Sequence, residues 1–173
     1  MEDSLIVIFS MILAVLLMFL FPIMDTWERQ DDISYMAAYS TVVEFVDSAR
    51  NLGYITTNMY YQFLQNLNAT GNRYDVTLEH RSRIYEVNAY KNTYTNEIDT
   101  FLNQGGSTQN NKYTMKAGDY FYVSVKNTNK TQSTLLKEVL YASPQETFKI
   151  GVPYGGMVRN NGATEEDTVG DGF

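Results

Sequence analysis

The sequence predicts an α+β protein: one long N-terminal hydrophobic helix, kinked near Pro22, carrying a small antiparallel-sheet head domain. Three observations predict it. From Leu5 to Met24 there is no charged side chain, and acids bracket the run, Glu2 and Asp3 before it and Asp25 after it. Apolar residues then recur at helical spacing as far as Gly53. Beyond Gly53, short alternating stretches are separated by Gly, Asn and Pro, the pattern of strands and turns.

The first element is residues 1–25. Twenty uncharged residues rising about 1.5 Å each make a helix of roughly 30 Å, the thickness of a bilayer's hydrocarbon core. Leu5, Phe9, Leu13, Leu16, Leu17 and Leu20 supply bulk on a rod that is greasy all round. A secretory signal peptide would begin with Lys or Arg and end in a small-residue cleavage site. Here the first base is Arg29, and no such site follows the run. A plain membrane anchor is one expectation; a basic leader already removed, leaving Met1 as the mature start, is one explanation of the missing charge. Pro22 has no N–H and crowds the carbonyl of Met18, which predicts the kink.

Residues 26–53 continue the helix. Ile33, Met36, Ala37, Val43, Val46 and Ala49 are expected to form one stripe packed on the head, with Asp31, Asp32, Glu44 and Asp47 largely off it. Arg50 and Gly53 mark the stop. Residues 2–52 then span roughly 75 Å.

The head, residues 54–160, reads as mixed. Ile55–Leu67 is a helix with Thr56 or Thr57 as cap. Tyr74–His80 alternates as a half-buried strand, with His80 on its inner face. Tyr94–Asn103 is a short helix stopped by Gly105 and Gly106. Asp119–Lys126 is the strongest strand. Asn127–Lys130 is a loop. Ser133–Tyr141 is a helix using Leu135, Leu136, Val139 and Leu140, ended by Pro144. Thr147–Val152 and Tyr154–Arg159 are expected as a strand pair, interrupted by Pro153 and Gly155–Gly156. The Gly- and acid-rich tail, 161–173, has no apolar pattern and is expected to be exposed.

Composition narrows the chemistry. Net charge is −7; the first 25 residues hold three acids and no base, leaving −4 on the rest. An acidic surface repels phosphate and argues against direct nucleic-acid binding. With no cysteine, disulfides and thiolate sites are excluded. His80 is the only histidine, so multi-histidine metal sites are excluded, and a structural role outweighs a triad role. No Walker loop or nucleophile elbow occurs. Glu165, Glu166, Asp167 and Asp171 match no calcium-loop spacing and read as a solvated tail. The 14 Tyr and nine Phe are expected mostly as strand and interface residues, with sugar stacking a minor reading. Asn68 and Asn129 begin glycosylation sequons, Asn68-Ala69-Thr70 and Asn129-Lys130-Thr131. These readings imply no catalytic constellation, cofactor or metal.

The apolar helix starting near residue 1, Pro22, the amphipathic extension and the strand-rich head together resemble type IV pilins and their pseudopilin relatives. The resemblance covers roughly residues 1–52 and lies nearest TadE-like pseudopilins and some archaeal pilins. It implies a prepilin peptidase that removes a leader, an assembly ATPase and platform, and insertion in the cytoplasmic membrane before assembly. The helices then leave the membrane and stack as the core of a filament. That family usually has Phe at the mature start and Glu at the fifth position, where this chain has Met1 and Leu5. Glu2 and Asp3 stand nearest the role of that acid, which pairs with a neighbouring subunit's amino terminus. The expectation is a homo-oligomeric, extracellular pilus filament with heads outermost for adhesion or cell contact. The alternative is a single-pass, membrane-anchored accessory subunit of a secretion or conjugation apparatus.

Overall fold

The computed structural model describes residues 2–84, 89–103, 111–144, 146–147 and 150–160, without the side chains of Glu2, Asp3 and Ile84. Met1, Gly105, Gly106 and the tail bearing Glu165, Glu166, Asp167 and Asp171 lie outside the described residues.

Helix α1 runs unbroken from Glu2 to Leu52, through Pro22. The proline offers no N–H to the Met18 carbonyl; one turn on, Thr26 Oγ1 donates to the Pro22 carbonyl itself at 2.8 Å. Gly53 ends the helix at φ +74, a left-handed conformation that glycine adopts without steric cost. There follow β1 (Tyr54–Thr56), α2 (Thr57–Asn68), β2 (Tyr74–Ile84), β3 (Ala89–Tyr94) and α3 (Thr95–Asn103). The chain closes with β4 (Lys112–Thr114), β5 (Tyr120–Asn127), α4 (Gln132–Tyr141) and β6 (Gly151–Met157). The main sheet is antiparallel in the order β3-β2-β5-β6, and β1 pairs with β4 in a separate ribbon.

The predicted layout is therefore present: a long apolar helix followed by a small antiparallel head. The C-terminal half of α1 is the backbone of the head's core. Ala38, Val42, Phe45, Val46 and Ala49 are buried with Leu78, Phe121, Val123 and Val125 of the sheet and Phe63 of α2. Phe45 stacks on Phe63, centroids 4.3 Å apart, and meets Phe121 edge-on. Thr56 caps α2 by accepting from Met59 N, so this helix starts two residues later than its apolar pattern suggests.

Several expectations need correction. The buried stripe of α1 contains Asp31, Ser34, Ala38, Val42, Phe45, Val46 and Ala49. Ile33, Met36 and Ala37, expected on it, are exposed, and Asp31, expected off it, is buried. Val46 and Ala49 lie on the stripe as expected; the error is confined to the N-terminal part, where the partners of the Asp31 carboxylate lie far away in sequence. The expected strand pair at the end is one strand, β6. Pro153 is tolerated because β6 is an edge strand, with no neighbour beyond it to need the missing donor. Gly155 and Gly156 do not interrupt β6. A Cβ on Gly155 would strike the Tyr122 ring and the Phe121 carbonyl, and one on Gly156 would lie 2.7 Å from Cζ of Arg50. In α4 the buried residues are Ser133 and Thr134, whereas Leu135, Val139 and Leu140 are exposed.

His80 sits on the inner face of β2, as its alternation predicts. Its Nε2 lies 3.0 Å from Asp119 Oδ2 and its Nδ1 lies 2.8 Å from the Tyr113 hydroxyl. Asp119 also accepts from the backbone N–H groups of Arg83 and Lys116. The buried carboxylate thus has three partners, two on β2 and one in the turn before β5, and ties that turn to the strand.

Candidate assembly surface

Among the described residues, the apolar half of α1 is left almost entirely uncovered. Among the described residues it is the one helix long and apolar enough to cross a membrane, and its most apolar stretch is wholly unburied. Leu5, Phe9, Leu13, Leu16 and Leu17 are exposed, Leu20 is half-buried, and Pro22 is exposed. Ser10, the polar side chain within this surface, returns its hydroxyl to the Val7 carbonyl at 2.9 Å. The rod therefore presents an apolar exterior with the Ser10 hydroxyl satisfied locally, as a nonpolar environment requires.

Eighteen residues make five helical turns, so positions 18 apart share one line along the rod. Leu13, Leu16 and Leu20 lie in line with Asp31, Ser34 and Ala38, the residues that face the head. Val15 and Met18 lie in line with Ile33 and Met36 on the side facing away from it. Ile33 is 59% exposed and Met36 69%. An apolar line thus continues beyond the charged collar of Asp25, Glu28, Arg29 and Asp32. Val15 and Met18 were not singled out by spacing, because a rod apolar all round has no preferred face until the head defines one; Ile33 and Met36 were, but as residues packed on the head rather than facing away from it.

The head grips α1 at two places. At the lower one, the Asp31 carboxylate accepts from Thr131 Oγ1 at 2.9 Å and from Ser133 Oγ, while Lys137 pairs with Glu28. This seats the N-terminus of α4 on the helix and leaves Leu135, Val139, Leu140 and Tyr141 exposed. At the upper one, Arg50 Nε donates to the Met157 carbonyl at 2.9 Å, and its Nη1 reaches Asp47 at 2.8 Å. Tyr154 OH also donates to Asp47, and Arg159 N to the Arg50 carbonyl.

The two sequons differ. Asn68 is the exposed last residue of α2 rather than part of a loop. Asn129, in the β5–α4 loop, is half-buried: its Oδ1 accepts from Arg73 N at 2.7 Å and its Nδ2 donates to Asn72 Oδ1 at 3.0 Å. Its amide nitrogen is committed to the fold. No group of three or more His, Asp or Glu that would hold a metal occurs among the described residues. Comparison with known proteins finds no matching family model, no matching curated protein and no matching solved structure.

Proposed function

We propose that this chain is a structural, pilin-like subunit that polymerises through α1 into an extracellular filament, with the head outermost. One observation carries the reading. Ile33 and Met36 are exposed roughly 13–18 Å beyond the end of the apolar span at Met24. A 30 Å hydrocarbon core already filled by residues 5–24 leaves them in the aqueous or headgroup zone. Lipid does not cover them there, but the apolar helix of a neighbouring copy does. Covering apolar area yields roughly 25 cal/mol per Å² relative to water. Relative to lipid the gain is small, so extraction from the membrane requires an assembly machine, as the pilin resemblance implies, together with a prepilin peptidase. The exposed α4 residues Leu135, Val139 and Leu140 supply a second apolar contact beside the rod.

The test is a double substitution outside both the span and the core, Ile33→Glu with Met36→Glu. In cells making the unaltered chain, electron microscopy is expected to show thin surface filaments that shearing releases. The double variant is expected to remain in the membrane fraction, with a head that resists protease as before. Filaments of undiminished number in the variant, or an unaltered chain that never leaves the membrane pellet, defeat the proposal. The second outcome is the behaviour of an anchored accessory subunit.

A further inference from the structure

The outer face of the main sheet is aromatic and open. Alternation points Phe121, Val123 and Val125 of β5 into the core and Tyr120 and Tyr122 away from it. In register, Tyr120 opposes Arg81 on β2, and Arg83, two residues along β2, opposes Tyr90 on β3. Arg81, Tyr90, Tyr120 and Tyr122 line a recess of about 300 Å³. Its walls are set by ring geometry: Tyr90 crosses Tyr120 at 65°, and Tyr120 lies within 15° of parallel to Tyr122, both pairs 6.2 Å apart. Tyr122 is seated over Gly155, where any Cβ would displace it. The Arg81 guanidinium lies 5.1 Å from the Tyr122 centroid and donates to both carboxylate oxygens of Glu79, at 2.9 and 3.3 Å.

We propose that this recess is a binding site for neutral saccharides. Its volume is at the small-ligand end of ordinary binding sites. Aromatic faces pack on the C–H face of a pyranose ring, while phenol hydroxyls and guanidinium N–H groups meet its hydroxyls. Among the described residues no aliphatic side chain lines the recess, so it lacks the grip that an apolar peptide anchor needs. Glu79 balances the charge of Arg81, so a phosphate or carboxylate gains little there, whereas the pair offers donors and acceptors side by side. The tyrosines are held by the sheet and by one another, which lowers the ordering cost of binding. The assignment concerns the head alone and stands whether or not the chain polymerises.

The experiment is saturation-transfer NMR on the full chain in zwitterionic, sugar-free micelles. The probes are neutral gluco-, galacto- and manno-configured trisaccharides, a glucuronate-bearing trisaccharide, inorganic phosphate and an oligoproline peptide. At least one neutral trisaccharide is expected to receive saturation. Tyr90→Ala and Tyr120→Ala are each expected to weaken it about three- to tenfold, a loss of the size that a stacking ring supplies. Tyr120→Phe, which keeps the ring, is expected to retain most of the affinity, and Tyr141→Ala, on α4, all of it. The proposal is overturned by transfer to no neutral probe, by binding indifferent to Tyr90 and Tyr120, or by preference for the acidic sugar, phosphate or oligoproline.

Discussion

At the residue scale, the core writes itself into titration. Burial, in contact with Phe45 and Phe63, pushes the Tyr60 phenol from its ordinary 10.0 up to about 12, and the charges of Asp99 and Tyr61 act in the same direction. The folded chain therefore holds a proton that the unfolded chain releases above about pH 10. The associated stability is fully present below that pH and is lost as pH rises towards 12, on the order of 2 kcal/mol. Tyr60→Phe is expected to remove that share of the alkaline loss, measured as the difference in denaturant midpoints between about pH 9 and pH 12. The same scale shows what sequence reveals. Thr56 as a cap and His80 as an inward strand residue follow from local pattern. Asp31 does not, because the hydroxyls that satisfy it come from Thr131 and Ser133, positions 100 and 102 residues distant along the chain.

At the element scale, that carboxylate decides whether α4 belongs to the head. Ser133 and Thr134 are buried where an apolar face was expected, so α4 docks chiefly by hydrogen bonds; Leu135 and Leu140 are exposed and Leu136 is half-buried. Asp31→Leu leaves the Thr131 and Ser133 hydroxyls without that acceptor and is expected to cost about 2–3 kcal/mol. The expected readout is local: faster amide exchange over residues 132–141, with β2 and β5 still protected. Helices were legible because each carries a 3.6-residue apolar period and a cap or stop. The strand β5 was legible because one of its faces is buried throughout. The strand β3 was not, since nearly all its side chains are exposed and no alternation of burial is imposed on its sequence. The strands β1 and β4, three residues each, are too short to carry a period at all.

At the scale of the whole molecule, the sequence declared the greasy rod and the polar head but not their relative rotation. That rotation decides which line of α1 remains uncovered, and it puts Ile33 and Met36 outward. The pilin-like reading adds an expectation at the far end of the rod. Glu2→Ala combined with Asp3→Ala is expected to lower polymer yield while the head stays folded. A carboxylate enclosed between apolar helices is costly unless an adjacent amino terminus neutralises it. Filament mass recovered by shearing, set against total chain in the cell, measures the effect.

The two grips of the head on α1 have a mechanical consequence. No slack linker separates lobe from shaft: Asp31 and Glu28 hold the lower edge, and Arg50 and Asp47 hold the upper. A pull on the lobe along the shaft thus loads both attachments together in shear, the stiffer direction for a row of parallel bonds, instead of unzipping them one at a time. Tension arriving from outside passes into the shaft without first stretching a tether.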